Sequence, residues 1–191
     1  MFWVYDNLLR DSVAEDVHDR VRNLSWEYNK HSIRKSNKKI YGDTIYPHFG
    51  IRIAGSEDDL ITYNYEYLLP LLEAAKNKFH VPVKLKRVYM NAHTFGVEPY
   101  IHTDDGDYTF IYYPRLDWKP HWLGGTALWD KEEKNIHKYC NYIGNRLLVF
   151  HADTKHQAMP VSRMCHELRS VIVFKTIRDE ELLLQRLKDS L

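Results

Sequence analysis

Hydrophobic and polar positions change rhythm once along this chain, near residue 80. Before that point the period is helical. Val13, Val17, Val21 and Leu24 fall at the i, i+4, i+8, i+11 spacing of one buried helical stripe, and Ser12-Val-Ala-Glu15 has the form of a capping box for it. Ser56-Glu-Asp-Asp-Leu60 predicts a second helix, capped by Ser56 and running to about Phe79, with Pro70 expected to kink or divide it. Between the two, Tyr46-Pro-His-Phe-Gly-Ile-Arg-Ile53 predicts a strand entered through a turn. From Pro82 onward the apolar runs are short and rich in β-branched and aromatic residues. They predict strands over 83–92, 100–104, 108–113, 126–130, 137–142, 146–150, 156–161 and 168–176, punctuated by Gly106, Gly124-Gly125 and Gly144-Asn145. Strands at this spacing predict an antiparallel sandwich or barrel. The tail from Asp179 to Leu191, with Leu182, Leu183 and Leu187, predicts a short amphipathic helix that either packs on the sheet or meets a second subunit.

The expected architecture is mainly β with supporting α-helices, in one domain over residues 1–191. Residues 1–80 supply helical support and the first strands, 81–177 the β core, and 178–191 the terminal helix. Composition agrees: 191 residues with 44% hydrophobic and 14% aromatic content are enough for one full core. The formal net charge of +1 does not advertise nucleic acid or an anionic membrane. No apolar run approaches the ~18–20 residues that span a bilayer, and the first residues lack the layout of a signal peptide. Cys140 and Cys165 have no paired spacing and read as reduced thiols, so a cytoplasmic location is expected. Five Lys or Arg between Asn29 and Lys39 read as a solvated loop or as a flap facing substrate.

Candidate chemistry lies in the β half. His102-Thr-Asp104, His156 and Arg169 set two imidazoles, one carboxylate and one guanidinium on strands. Two imidazoles and a carboxylate form a three-ligand face for non-haem Fe(II) that keeps positions open, and an arginine grips a carboxylate through two parallel hydrogen bonds. The His-x-Asp pair alone is weak, because chance supplies about one in a chain of this composition and His151-Ala-Asp153 is a second. His102/Asp104 stands ahead of it. It lies near a strand start, where residues i and i+2 share a face, whereas His151 follows the run Arg146-Leu-Leu-Val-Phe150, where the chain is leaving a strand. Asp105 and Asp107 fall on the opposite parity from His102. Arg169 shares a strand face with Val171 and Val173, and a charge turned inward among valines needs a partner; Arg163 and Lys175 are the rival cations.

The order His102-x-Asp104, Gly124-Gly125-Thr126, Arg146-Leu-Leu-Val-Phe150, His156-Gln-Ala-Met-Pro-Val161, Arg169 resembles the 2-oxoglutarate/Fe(II) dioxygenases. The resemblance is closest to the compact prolyl-4-hydroxylase-like branch with its phage and bacterial members, and it covers about residues 83–176. Three features depart from that pattern. The interval from His156 to Arg169 is longer than usual, Val171 stands where the family often has a hydroxyl (Ser170 is one place early), and His93 replaces a tyrosine while Gly96 is kept.

The resemblance implies a double-stranded β-helix, a cupin-like jelly roll with the metal at its mouth. It also implies Fe(II) on His102, Asp104 and His156, with 2-oxoglutarate as co-substrate held by Arg169. O₂ is then consumed in hydroxylating an unactivated C–H bond, with release of succinate and CO₂. Asn91, His93, Tyr100 and Tyr112 are the further co-substrate pocket residues expected on the mouth strands. Trp118 and Trp122, in the loop before the double glycine, are candidates to stack on a substrate such as a proline-containing peptide, a free amino acid or a nucleobase, or form a lid over the barrel end. The alternatives are a β-barrel binding module without turnover and a cupin-type metal enzyme that uses no 2-oxoglutarate.

Overall fold

A computed structural model describes residues 1–30 and 48–189; most of the basic stretch from Asn29 to Lys39 lies outside them. The first strand, β1 (Phe2–Tyr5), leads into α1 (Asp11–Arg22), β2 (Glu27–Lys30) and β3 (His48–Ala54). Two helices follow, α2 (Glu57–Thr62) and α3 (Leu69–Lys78). The β half then runs β4 (Val83–His93), β5 (Tyr108–Tyr113), β6 (Thr126–Trp129), β7 (Ile136–Cys140), β8 (Arg146–His151), β9 (His156–Ala158) and β10 (Arg169–Arg178), before α4 (Glu180–Asp189).

Of the expected stripe, Val17 and Val21 are buried on α1 together with Ala14, while Val13 and, beyond the end of the helix, Leu24 pack partly buried against the same core. The capping box does not form. The helix already begins at Asp11 behind Arg10, which makes no side-chain cap, so Ser12 sits inside the first turn. The Ser56 cap does form, its Oγ accepting from the Asp59 N–H at 3.2 Å. The long helix expected from Ser56 to Phe79 is divided instead, with Asn64 at φ 60° and a one-turn 3₁₀ segment over Glu66–Leu68. Pro70 then sits in the first turn of α3, where its missing N–H costs no hydrogen bond.

The strands form a seven-stranded sheet, β1-β8-β5-β10-β4-β3-β2, facing a three-stranded sheet, β7-β6-β9. Strand 100–104 is reduced to a single antiparallel bridge between His102 and His156. β1 went unforeseen; it pairs with β8 from Phe2 opposite Phe150 to Tyr5 opposite Leu147.

Side-chain alternation sorts the large sheet into two cores. On β5, β8 and β10, Phe110, Tyr112, Leu147, Val149, Ile172 and Phe174 face the helices with Val17, Leu60, Leu71 and Phe79. Ile111, Tyr113, Leu148, Phe150, Val171 and Val173 face the small sheet and pack with Leu128, Tyr142 and Val161. Fully burying a phenylalanine such as Phe110 or Phe174 contributes about 1.5–3 kcal/mol, so this division holds the register of β10 firmly. The inner face is where the polar candidates collect.

Candidate metal centre

β9 and the chain before β5 meet at the mouth between the sheets. Paired backbone bonds, His102 N–H to the His156 carbonyl at 3.0 Å and the reverse at 2.9 Å, fix the two histidines side by side, with ring centroids 4.3 Å apart. The Asp104 N–H donates to the Ala152 carbonyl at 2.7 Å and turns its carboxylate toward both rings. One potential ligand atom from each of His102, Asp104 and His156 lies within 4.8 Å of the others, the one such group among the described residues.

Both rings are oriented for ligation. The Nδ1 atoms of His102 and His156 each lie 2.9 Å from a backbone carbonyl, of Tyr100 and Thr154 respectively. A carbonyl only accepts, so each Nδ1 carries the hydrogen, and a neutral ring then offers its Nε2 lone pair. Nε2 of His156 stands 3.2 Å from Asp104 Oδ2, and Nε2 of His102 stands 3.8 Å from Oδ1. Two imidazole lone pairs and a carboxylate gathered at such distances make a site that a divalent metal ion fits. Burial first, and the neighbouring His156 second, pull His102 down to about 4, so its neutral form persists into acid. Burial pushes the Asp104 carboxyl upward, but His156, Lys175 and His102 outweigh it and hold it far below the carboxylate range.

Lys175 is the residue of this site that sequence reasoning assigned least well, as a rival cation only. Its side chain is 1% exposed, and its ammonium pairs directly with Asp104 Oδ2. It also donates to Thr109 Oγ1 at 3.2 Å, while the Thr109 hydroxyl donates to the same Oδ2 at 2.7 Å. Burial pulls Lys175 down to about 8 against the attraction of Asp104. The signal was available in parity, because Thr109 and Lys175 are polar residues on the inner rows of β5 and β10, opposite each other in register.

Arg169 opens the same inner row, at the far end of β10, and is 1% exposed. Its guanidinium donates to the Gly124 carbonyl through Nε, and through Nη2 to Gly125 O at 3.3 Å and Thr126 Oγ1 at 3.5 Å. Tyr142 lies under it with the ring centroid 5.9 Å away. No carboxylate among the described residues pairs with it, although a buried guanidinium demands a counter-charge. Close packing excludes a side chain at both glycines, and at Gly124 the neighbour is Arg169 itself. A Cβ on Gly124 would press on Arg169 and Trp118 at 3.2–3.3 Å, and one on Gly125 would meet the Cys140 carbonyl at 2.3 Å. Of the rival cations, Arg163 is exposed and Lys175 is taken by Asp104.

The remaining expected residues divide by face. Asn91 and His93 lie opposite Val171 and Arg169 in register, on the inner side. Buried His93 has an Nδ1 with no partner among the described residues, a polar atom suited to an oxygen ligand beside Arg169. Tyr100 contributes the carbonyl that orients His102. Tyr112 is a correction: it pairs with Ile172 and faces the helical core, where its hydroxyl donates to Asn145 Oδ1 at 3.1 Å. The inward residue is its neighbour Tyr113, whose hydroxyl donates to Thr126 Oγ1 at 2.8 Å, one contact from Arg169. Ser170 likewise points away from Arg169, into a cavity of about 160 Å³ shared with Arg115 and Glu167.

Trp118 and Trp122 are a second correction. Both are buried in the inter-sheet core, with centroids 5.1 Å apart, and Trp118 stacks on Tyr142 at 4.4 Å and donates from Nε1 to the Leu123 carbonyl. They build the wall behind Arg169 instead of an exposed stacking surface. The rival pair also separates: His151 packs its ring on Tyr108 at 4.8 Å and Asp153 is exposed. Asp105 pairs with Lys86 and Arg87, and Asp107 accepts from the Arg178 N–H at 2.7 Å.

No protein-family model matches the chain, and no curated protein matches it. Solved structures do. A prolyl hydroxylase from Trichoplax adhaerens, in complex with a hypoxia inducible factor oxygen degradation domain peptide fragment, superposes with a TM-score of 0.56 at 18% identity, covering 96% of this chain and 86% of that one. A 2OG-Fe(II) oxygenase family oxidoreductase from Burkholderia pseudomallei gives 0.61 at 13% identity, over 93% and 84%. HygX from Streptomyces hygroscopicus, with nickel and 2-oxoglutarate bound, gives 0.60 at 9% identity, over 93% and 83%. No described helix is long and apolar enough to cross a membrane. The two facing sheets of this chain therefore form a double-stranded β-helix, the fold of these oxygenases.

Proposed function

We propose that the protein is an Fe(II)- and 2-oxoglutarate-dependent dioxygenase that hydroxylates an unactivated C–H bond, in the manner of a prolyl hydroxylase, on a peptide or amino-acid substrate. One observation carries the reading. A metal-competent His102/Asp104/His156 face and a buried arginine with which no carboxylate among the described residues pairs stand at the two ends of a single inner face, the arrangement a chelating dicarboxylate needs. Two imidazoles and one carboxylate suit iron with positions left open, and the fold neighbours support the same chemistry.

With iron, 2-oxoglutarate and O₂ bound, the site would supply an oxidant able to hydroxylate a C–H bond, one oxygen atom going to succinate, released with CO₂, and the other to the product. The protein's own residues bind, orient and shield. His102, Asp104 and His156 hold the metal, with the Tyr100 and Thr154 carbonyls fixing both rings. Arg169 takes the distal carboxylate, assisted by His93 and Asn91, and Tyr113 and Thr126 orient the guanidinium. Val171 and Val173 keep the space between the two ends dry. Of the three ligand side chains His102 is the most exposed, 28% against 7% for Asp104 and 5% for His156, so substrate approaches from its side.

The test is an anaerobic titration of 2-oxoglutarate into the Fe(II)-loaded protein, followed by screening peptides and free amino acids for succinate release. A weak visible charge-transfer band and substrate-dependent succinate support the proposal. Bound iron without the band indicates a cupin-type metal enzyme instead, and failure to hold iron indicates a binding module; either outcome refutes it.

A further inference from the structure

Lys175 has no place in the chemistry just described, yet it is buried against a proposed metal ligand. Its ammonium, the Thr109 hydroxyl and the Asp104 carboxylate form a closed set in which Thr109 accepts from Lys175 and donates to Asp104. Both donors converge on one oxygen, Oδ2. Thr109 is fully buried, and the face of Tyr89 lies 5.5 Å from the ammonium on a further side, so the lysine has little room to turn elsewhere. A carboxylate oxygen has two in-plane lone pairs; at Oδ2 the Lys175 and Thr109 donors take both, so although the His156 Nε2 stands 3.2 Å from it, a metal ion would draw on Oδ1. Oδ1 has no such donor among the described residues and lies 3.8 Å from the His102 Nε2.

Resting on the dioxygenase reading, we infer that Lys175 is a positioning residue that restricts Asp104 to one-oxygen ligation and so protects an open metal position for the co-substrate. A three-ligand face is useful only while its other positions stay free. A carboxylate can bind through one oxygen or two, and a freed Asp104 swinging to the second mode would occupy a position that 2-oxoglutarate requires. Lys175 opposes that swing by holding Oδ2, and Thr109 seconds it from the neighbouring strand. The arrangement also sets a cation beside the metal, so it weakens metal binding rather than strengthening it. Lys175 therefore trades metal affinity for co-substrate affinity, which a merely structural lysine does not do.

The two affinities separate the cases. Co(II) and then 2-oxoglutarate are titrated calorimetrically into the wild-type chain, Lys175→Met and Thr109→Val, with urea unfolding to verify that each is folded. Lys175→Met is expected to hold Co(II) as tightly as wild type or tighter. Its affinity for 2-oxoglutarate should fall about tenfold or more, the change expected of one charge-assisted hydrogen bond. Thr109→Val should shift both affinities in the same directions by less. Parallel loss of Co(II) and 2-oxoglutarate in both variants, or no change in either affinity, overturns the inference and leaves the dioxygenase reading standing. A wild-type chain that takes up no Co(II), or takes it up and ignores 2-oxoglutarate, overturns that reading and this inference with it.

Discussion

Replacing Arg169 with alanine tests the co-substrate anchor most directly, because the structure sets the sign of two separate readouts. The guanidinium spends its bonds on the carbonyls of Gly124 and Gly125 and on Thr126. Losing each hydrogen bond from a charged donor costs about 1.5–3 kcal/mol. Gly125 O keeps a second donor, the Met159 N–H at 2.9 Å. Against that loss, the variant no longer buries a cation without a counter-charge, a burden of several kcal/mol per ion. The two effects oppose each other, so stability of the ligand-free protein should change by no more than about 2 kcal/mol. Binding has no such offset. A 2-oxoglutarate carboxylate left beside an alanine loses about 2–5 kcal/mol, which at ~1.4 kcal/mol per tenfold is roughly a 30- to 3,000-fold weaker affinity. Calorimetric titration of 2-oxoglutarate into anaerobic Fe(II)-loaded protein measures it, with exposed Arg163→Ala as control. Iron should remain bound throughout. A large loss in Arg163→Ala with none in Arg169→Ala would refute the reasoning and place the anchor in the turn before β10.

The other predictions concern the metal face, the inward tyrosine and acid. Alanine at His102, Asp104 or His156 should abolish Fe(II) uptake, while His151→Ala and Asp153→Ala hold it within a few-fold; equal loss at His151 in an equilibrium metal titration would reverse the choice between the two His-x-Asp pairs. Tyr113→Phe, which frees Thr126 beside Arg169, should weaken 2-oxoglutarate binding, and Tyr112→Phe should lower only the urea midpoint; the opposite pattern would contradict the facing of β5. Metal-free protein should lose stability on acidification. His93 is held well below its ordinary value by burial and by Arg169, and His102 lies at about 4. Below about pH 6.5 the unfolded chain takes protons that the folded one refuses, so stability is full above that pH and falls beneath it. The slope reaches up to about 1.4 kcal/mol per pH unit for each histidine, and for His102 the loss ends near its folded value of about 4. Urea midpoints that stay level between about pH 7 and 5 would disprove this.

The sequence by itself determined the strand succession after Pro82 and the helical stripe on α1, because these rest on local properties, and through the resemblance it named His102, Asp104 and His156, which the structure gathers at one place. Period-2 alternation, glycine punctuation and the shared face of residues i and i+2 survive without knowledge of neighbours. The same alternation sets Ser170, one place after Arg169, on the opposite strand face. Parity also needs an origin, and there the reading of Tyr112 failed: six consecutive buried residues on β5 give no apolar–polar contrast to say which set faces the small sheet. Only pairing with β10 decides it, by setting Tyr112 against Ile172. The tryptophans failed for a related reason, since a loop's composition does not reveal whether its rings turn outward or fill the space behind a buried arginine. The tertiary structure alone decided the roles of Lys175 and of the double glycine. Lys175 lies 71 residues from Asp104 in sequence, and the Arg169 to Gly124 bond spans 45. Such contacts between distant segments are fixed by sheet register and inter-sheet packing, which no local pattern in the chain encodes.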